Sequence, residues 1–165
     1  MSMKPEKYEE IISKLKEELG FECAIANKYG IILASNIKEF SKNKVIPQMI
    51  LSMITSSKEL AKEFNLKEIR SFAFESEKYN FLFTFTKDLI LVSRLNLNID
   101  LAKFMPNIGE FLEKLSEESR VKEIQDFTTF DFSREIERIK ETLNLNKPEK
   151  DKYSIIKDIV NYISS

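Results

Sequence analysis

Three β-strand segments follow one another in the middle of the chain with almost no residues between them. The segments are KEIRSFAFES at 67–76, NFLFTFT at 80–86 and DLILVSRL at 88–95. The turns between them, around Glu77-Lys78 and Lys87-Asp88, are too short for a crossover helix, so neighbouring strands should pair antiparallel. This stretch predicts a β-meander and restricts the chain to folds that contain an antiparallel sheet.

A β-hairpin is predicted earlier in the chain. The segment FECAIAN, residues 21–27, and the segment IILAS, residues 31–35, flank a short turn that contains Gly30. Glycine can adopt the positive φ angle that such turns require. The sheet should therefore have five strands.

Apolar residues at helical spacing predict three helices around these strands. They cover about 5–19, 46–64 and 100–118, with Asn98 or Asp100 capping the third and a kink or late start at Pro106. The order α-β-β-α-β-β-β-α predicts an α+β fold with a five-stranded antiparallel sheet between helices. We assign residues 1–118 to this domain and 119–165 to an extension of two helices, one after Ser133 and one at about 149–163.

The composition argues against catalysis. The 165 residues include no histidine, one cysteine and no phosphate-binding glycine motif, which excludes a Ser-His-Asp triad, a His-ligated metal and a P-loop. The net charge is −1, without the basic excess of nucleic-acid binders. We predict a protein that is not an enzyme, holds no cofactor or metal, and neither binds nucleic acid nor inserts into a membrane. The single cysteine and the polar start favour a cytoplasmic location.

Four stretches together resemble the roadblock family of dynein light chains and small-GTPase regulators. They are FECAIANKYGIILAS, QMILSMITSSKELAKEF, RSFAFESEKYNFLFTFTKDLILVSRL and the helix after Asn98. Longin and profilin-like domains have related layouts. The resemblance covers residues 5–118; the chain has fewer glycines in its turns than the family and continues beyond the family's usual end.

The resemblance implies a non-catalytic regulator or scaffold that forms a dimer with itself or a paralogue and docks a small Ras-like GTPase. An exposed edge strand and an apolar helix face would provide the interface. The residues expected there are Met49, Ile50, Met53, Ile54, Ser57, Arg70, Phe72 and Phe74. The methionine-bearing helix face could instead pack on the sheet.

The sequence leaves open an alternative function and the role of two arginines. The alternative function is a PAS-like small-molecule sensor, in which Phe81, Phe83 and Phe85 line a ligand site, although these residues also suit a core. Arg70 and Arg94 can pair with carboxylates across strands or meet an acidic partner.

The extension, 119–165, should fold onto the domain or its dimer mate and cover an open sheet face or edge, because its short amphipathic helices are not stable in isolation.

Overall fold

The computed structural model describes residues 5–121 and 132–144. The elements in chain order are α1 Pro5–Leu19, β1 Glu22–Asn27, β2 Ile32–Ser35, α2 Gln48–Thr55, α3 Ser57–Glu63, β3 Ser71–Glu75, β4 Tyr79–Phe85, β5 Leu89–Asn96, α4 Leu101–Val121 and α5 Ser133–Asn144. The predicted α+β order is confirmed.

The five strands form one antiparallel sheet in the order β2-β1-β5-β4-β3. The central strand β5 is buried on both faces, as is most of β1. One face packs against α1 and α4 through Leu15, Phe104 and Phe111, which are fully buried. The opposite face is covered by the loop before α2 and by α2 itself. The sheet is therefore the middle layer of three.

The predicted helix over 46–64 is two helices, with the break at Ser56. Ser56 has ψ −2°, far from the value of about −42° in a regular α-helix. The break falls in the run Thr55-Ser56-Ser57, where the Thr55 hydroxyl donates a hydrogen bond to the Ser52 carbonyl at 3.0 Å. Such side-chain bonds compete with the helical ladder. The predicted start is also too early, because Ile46 is buried ahead of the helix and α2 begins after Pro47.

Helix α4 begins where the cap residue predicts and not at the proline. The Asp100 carboxylate accepts a hydrogen bond from the Ala102 N–H at 3.0 Å, which makes Asp100 the N-cap. Pro106 lies inside the helix, so the predicted late start is wrong. Proline there removes the donor for the Ala102 carbonyl. Both residues are exposed, so water can satisfy that carbonyl.

Helix α5 packs on the helical layer formed by α1 and α4. Phe132, Ile136 and Ile139 are buried in the same core as those helices, and the Phe132 and Phe111 ring centroids lie 4.7 Å apart. The predicted position of the extension, on an open sheet face or edge, is wrong for α5, which folds onto the domain against α1 and α4 instead. The predicted helix at 149–163 lies outside the described residues.

Candidate protein-docking surface

Strand β3 is an edge strand with no partner on its outer side among the described residues. The other edge strand, β2, is covered by the chain segment at 43–46. The Ile32 N–H donates to the Lys44 carbonyl and the Asn43 N–H to the Ile32 carbonyl, both at 2.8 Å. Ile31 and Val45 form a further antiparallel bridge. The 43–46 segment thus covers the start of β2, and of the two edges β3 is the more open.

The pairing register shows which backbone groups of β3 point outward. Phe72 lies opposite Phe83, and Phe74 opposite Phe81. The Phe85 N–H donates to the Arg70 carbonyl at 3.0 Å, and the Ser76 N–H to the Tyr79 carbonyl at 2.9 Å. In an antiparallel pair every second residue exchanges both hydrogen bonds with its partner strand. Even-numbered residues therefore bond to β4, and the N–H and C=O groups of Ser71, Ala73 and Glu75 face outward.

The side chains of Phe72 and Phe74 lie on the α2 side of the sheet. The Phe72 ring stacks on Phe85 at 5.6 Å between centroids, and the Phe74 ring meets the edge of Phe83 at 5.6 Å. Phe83 is buried in the core beneath α2, and Phe85 packs against it. Phe74 remains 37% exposed. The apolar core on this face thus continues to the open edge and is only half covered there.

Helix α2 is apolar, yet none of its residues is fully buried. Ile50 and Ile54 pack against the core of this face, and Met53 is half-buried. Met49 is 81% exposed. The structure therefore assigns Ile50 and Ile54 to packing on the sheet, and it leaves the two methionines accessible to a partner. An interface role for all four stays a prediction.

Two other predicted interface residues lie in different surroundings. Ser57 begins α3 and is buried, 8% exposed, so its side chain is not available as a contact in this structure. Arg70 is exposed and pairs locally with Glu68, with Nε 2.7 Å from the carboxylate. Arg94 behaves differently, because it pairs across strands with Glu22 and reaches Glu39 at 3.4 Å. The guanidinium of Arg94 therefore takes the structural role considered for it.

An exposed apolar pair at the end of α3 was not predicted from the sequence. Phe64 and Leu66 are 68% and 52% exposed, although Phe64 belongs to the apolar stripe of the predicted long helix. Asn65 between them has φ +56°, and the Leu66 N–H donates back to the Ala61 carbonyl at 2.7 Å. This is the hydrogen bond of a Schellman cap. Asparagine after a helical stripe was the signal that the helix ends and that the following apolar residues turn outward.

The phenylalanine row proposed for a ligand site is filled by protein. Phe40, from the loop before α2, packs on Phe83 at 5.9 Å and on Phe81 at 6.1 Å between centroids. A cleft of about 440 Å³ lies elsewhere, at the end of the sheet where Tyr79 and Arg94 meet Leu19, and none of Phe81, Phe83 and Phe85 lines it. The geometry gives the sensor alternative no support.

The buried titratable groups face the helical core and not the docking surface. Burial raises the pKa of the Cys23 thiol, and nearby Glu22 adds to the effect. A thiol held protonated is a poor nucleophile. Burial also raises the pKa of Tyr8, against the effect of its 3.1 Å hydrogen bond with Ser119. Within residues 5–121 and 132–144 no three His, Cys, Asp or Glu side chains are grouped as metal ligands.

The fold is similar to that of MglB from Myxococcus xanthus, with a TM-score of 0.50 and 10% sequence identity over 92% of this chain and 98% of that one. The gliding protein MglB from Thermus thermophilus aligns at a TM-score of 0.46 and 12% identity, over 87% of this chain and 94% of the other. Profilin from Schizosaccharomyces pombe aligns at a TM-score of 0.43 and 16% identity, over 70% of this chain and 98% of the profilin.

No protein-family model matches the sequence, and no curated protein sequence matches it. At this identity, the similarity to Myxococcus xanthus MglB concerns the fold. The roadblock-type α+β fold predicted from the four sequence stretches is confirmed.

Proposed function

We propose that this chain is a non-catalytic regulator or scaffold that dimerises through β3 and docks a small Ras-like GTPase. The observation that carries the proposal is the open edge of β3 beside half-covered apolar side chains, on a sheet whose other edge is covered at its start by the 43–46 segment. Unpaired strand edges are templates for β-augmentation. The GTPase partner follows from the roadblock resemblance, and the cytoplasmic setting from the single cysteine.

The outward groups of β3 favour one register for a second copy. Two antiparallel β3 strands related by a two-fold axis at Ala73 would place Ala73 opposite Ala73, and Ser71 opposite Glu75. All outward N–H and C=O groups of the strand would then be bonded. Like charges would not face each other, which matters because directly opposed like charges are destabilising.

The same register adds an aromatic contact. Phe72 of one copy would lie opposite Phe74 of the other, in a pair that exchanges no backbone hydrogen bonds and therefore has closely spaced side chains. Cross-strand aromatic pairs contribute roughly 0.2–1 kcal/mol each. Met49 and Met53 on α2 offer a separate accessible apolar surface, where a flexible methionine adapts to a partner. The proposed contact thus combines backbone pairing with apolar packing.

Light scattering during gel filtration tests the dimer. The wild-type chain should elute as a dimer at tens of micromolar. Ala73→Pro removes one outward N–H without touching a bond to β4, and Phe74→Ser removes an exposed ring; both should give monomers. Tyr29→Ser, an exposed aromatic on the far side of the sheet, is the matched control and should stay dimeric.

A pull-down with Ras-like GTPases loaded with GDP or a GTP analogue tests the partner. Capture by the wild type with a preference for one nucleotide state supports the proposal. A wild-type chain that is monomeric and captures neither a paralogue nor a GTPase contradicts it. Turnover of any substrate that is abolished by a single carboxylate substitution would contradict the non-catalytic assignment.

A further inference from the structure

A second exposed apolar cluster lies at the opposite edge of the sheet from β3. Tyr29, Ile31 and Val45 are 68%, 40% and 57% exposed. Tyr29 lies in the turn between β1 and β2, and Ile31 and Val45 face each other as bridge partners. We call this cluster, together with Lys28 and Lys44, the hairpin corner.

The hairpin corner is held by a fixed hydrogen-bond pattern. The Asn27 side-chain oxygen accepts from the N–H groups of Tyr29 and Ile31, at 3.0 and 3.1 Å. The Ile46 N–H donates to the Gly30 carbonyl at 2.8 Å. Gly30 has φ +86° and is buried beneath Leu51. These hydrogen bonds fix the backbone of the turn, and its apolar side chains remain exposed.

Positive charge accompanies these apolar side chains. Lys28 and Lys44 are exposed, and neither forms an ion pair within the described residues. The Lys28 ammonium lies 5.3 Å from the centre of the Tyr29 ring. The hairpin corner therefore presents two exposed lysines without an ion-pair partner among the described residues.

We propose that the hairpin corner contacts an anionic phospholipid surface. Tyrosine with a few aliphatic side chains suits the headgroup region, and flanking lysines are attracted to anionic lipid. These side chains are exposed at and beside a hairpin turn. Exposed side chains at a turn can contact a flat surface, whereas a bound peptide is held in a groove. The contact is peripheral: none of the described helices has the length and apolar character to cross a bilayer.

The position of the corner keeps it separate from the open edge of β3. Three strands, β1, β5 and β4, lie between β2 and β3 in the sheet, so a partner on β3 leaves the corner free. Few apolar side chains and two lysines give weak binding for one copy. Two copies joined at β3 would raise the overall affinity by avidity if both corners reach the same surface.

Vesicle sedimentation of the full chain tests the inference. The wild type should sediment with vesicles of phosphatidylcholine and phosphatidylglycerol but not with phosphatidylcholine alone, and added salt should release it because salt screens the lysines. The Lys28→Glu/Lys44→Glu variant should bind at least about tenfold more weakly. Tyr29→Ser/Val45→Ser should also weaken binding.

Matched controls come from the α3 end of the molecule. Lys62→Glu/Lys67→Glu reverses two exposed lysines there, and Phe64→Ser/Leu66→Ser removes two side chains of similar exposure. Both controls should bind vesicles as the wild type does. Equal binding to neutral vesicles, equal loss in the controls, or no vesicle binding at low salt overturns the inference. Retention by an acidic protein that depends on Lys28 and Lys44, without vesicle binding, overturns it in favour of a protein partner.

Discussion

Phe72 and Phe85 stack across the β3–β4 pair, with ring centroids 5.6 Å apart and ring planes inclined by 24°. The stack is one of two ring contacts that join the open edge strand to β4, the other being Phe74 on Phe83. Phe72→Ala should lower the free energy of unfolding by about 1–2 kcal/mol, from lost ring contact and partial burial. Urea denaturation of the monomeric Ala73→Pro background measures this effect without a contribution from dimerisation.

Phe64→Ala in the same background is the control. Its ring is 68% exposed, so the free energy of unfolding should change by less than about 0.5 kcal/mol. If both substitutions destabilise equally, the stack on Phe85 does not anchor β3.

Gly30 and Gly109 should respond in opposite directions to alanine. At Gly30 an added Cβ would lie 2.8 Å from Leu51 methyl carbons, and φ is +86°. Gly30→Ala should therefore destabilise the chain by about 1–3 kcal/mol. At Gly109, inside α4, a Cβ meets nothing within 4 Å, and alanine should stabilise by up to about 1 kcal/mol. Thermal unfolding of the two variants checks the pair; a lower melting temperature for Gly109→Ala would contradict the described helix packing.

Arg94 should contribute more to the stability of the fold than Arg70. The side chains of Arg94 and Glu22 are only 18% and 26% exposed, and the guanidinium also lies over the Tyr79 ring at 4.8 Å. Arg94→Ala should cost about 1–3 kcal/mol, because partly buried Glu22 would keep only its longer contact with Lys16, at 3.6 Å. Arg70, with a side chain 62% exposed, should change stability by less than about 0.5 kcal/mol when replaced by alanine. Guanidinium denaturation of both variants decides the point.

Alkaline pH should destabilise the fold through two buried groups. Burial raises the pKa of Cys23 from its ordinary 9.0 and that of Tyr8 from 10.0. Above those values the unfolded chain releases protons that the folded chain retains. The contribution of these groups to the free energy of unfolding is therefore fully present below pH 9.0 and is lost as pH rises. The slope should become shallower in Cys23→Ala and in Tyr8→Phe. Denaturant melts at successive pH values measure it, and identical slopes in all three proteins would refute the linkage.

The order of elements could be predicted because the local signals are strong and agree with one another. Short turns define the meander, Gly30 the hairpin, and Asp100 the start of α4. The break at Ser56 could not be predicted, because it depends on competition between serine and threonine hydroxyls and the helical ladder, and the apolar periodicity continues across it. The packing of α5 on α1 and α4 was also missed, since amphipathicity shows that a helix needs a surface without showing which one.

The candidate site could be predicted only in part. The alternation in β3 and the apolar residues of α2 indicated the elements concerned. Whether Ile50 faces the sheet while Met49 faces solvent depends on how α2 is rotated over β4 and β5, and a stripe broader than one face does not determine that rotation. The exposure of Phe64 and Leu66 was not predicted, although Asn65, which ends the helix in a left-handed conformation, was a sequence signal for that end.

The closure of β2 by the segment at 43–46 has a consequence for self-association. A sheet with two free edges behaves as a bifunctional monomer and can add copies without limit, as in fibrils. Within the described residues the start of β2 is already bonded to this segment, so β3 is the edge available over its whole length for an edge-to-edge junction. When two copies pair through β3, neither copy keeps an unpaired β3 edge. Association by this route therefore stops at the dimer.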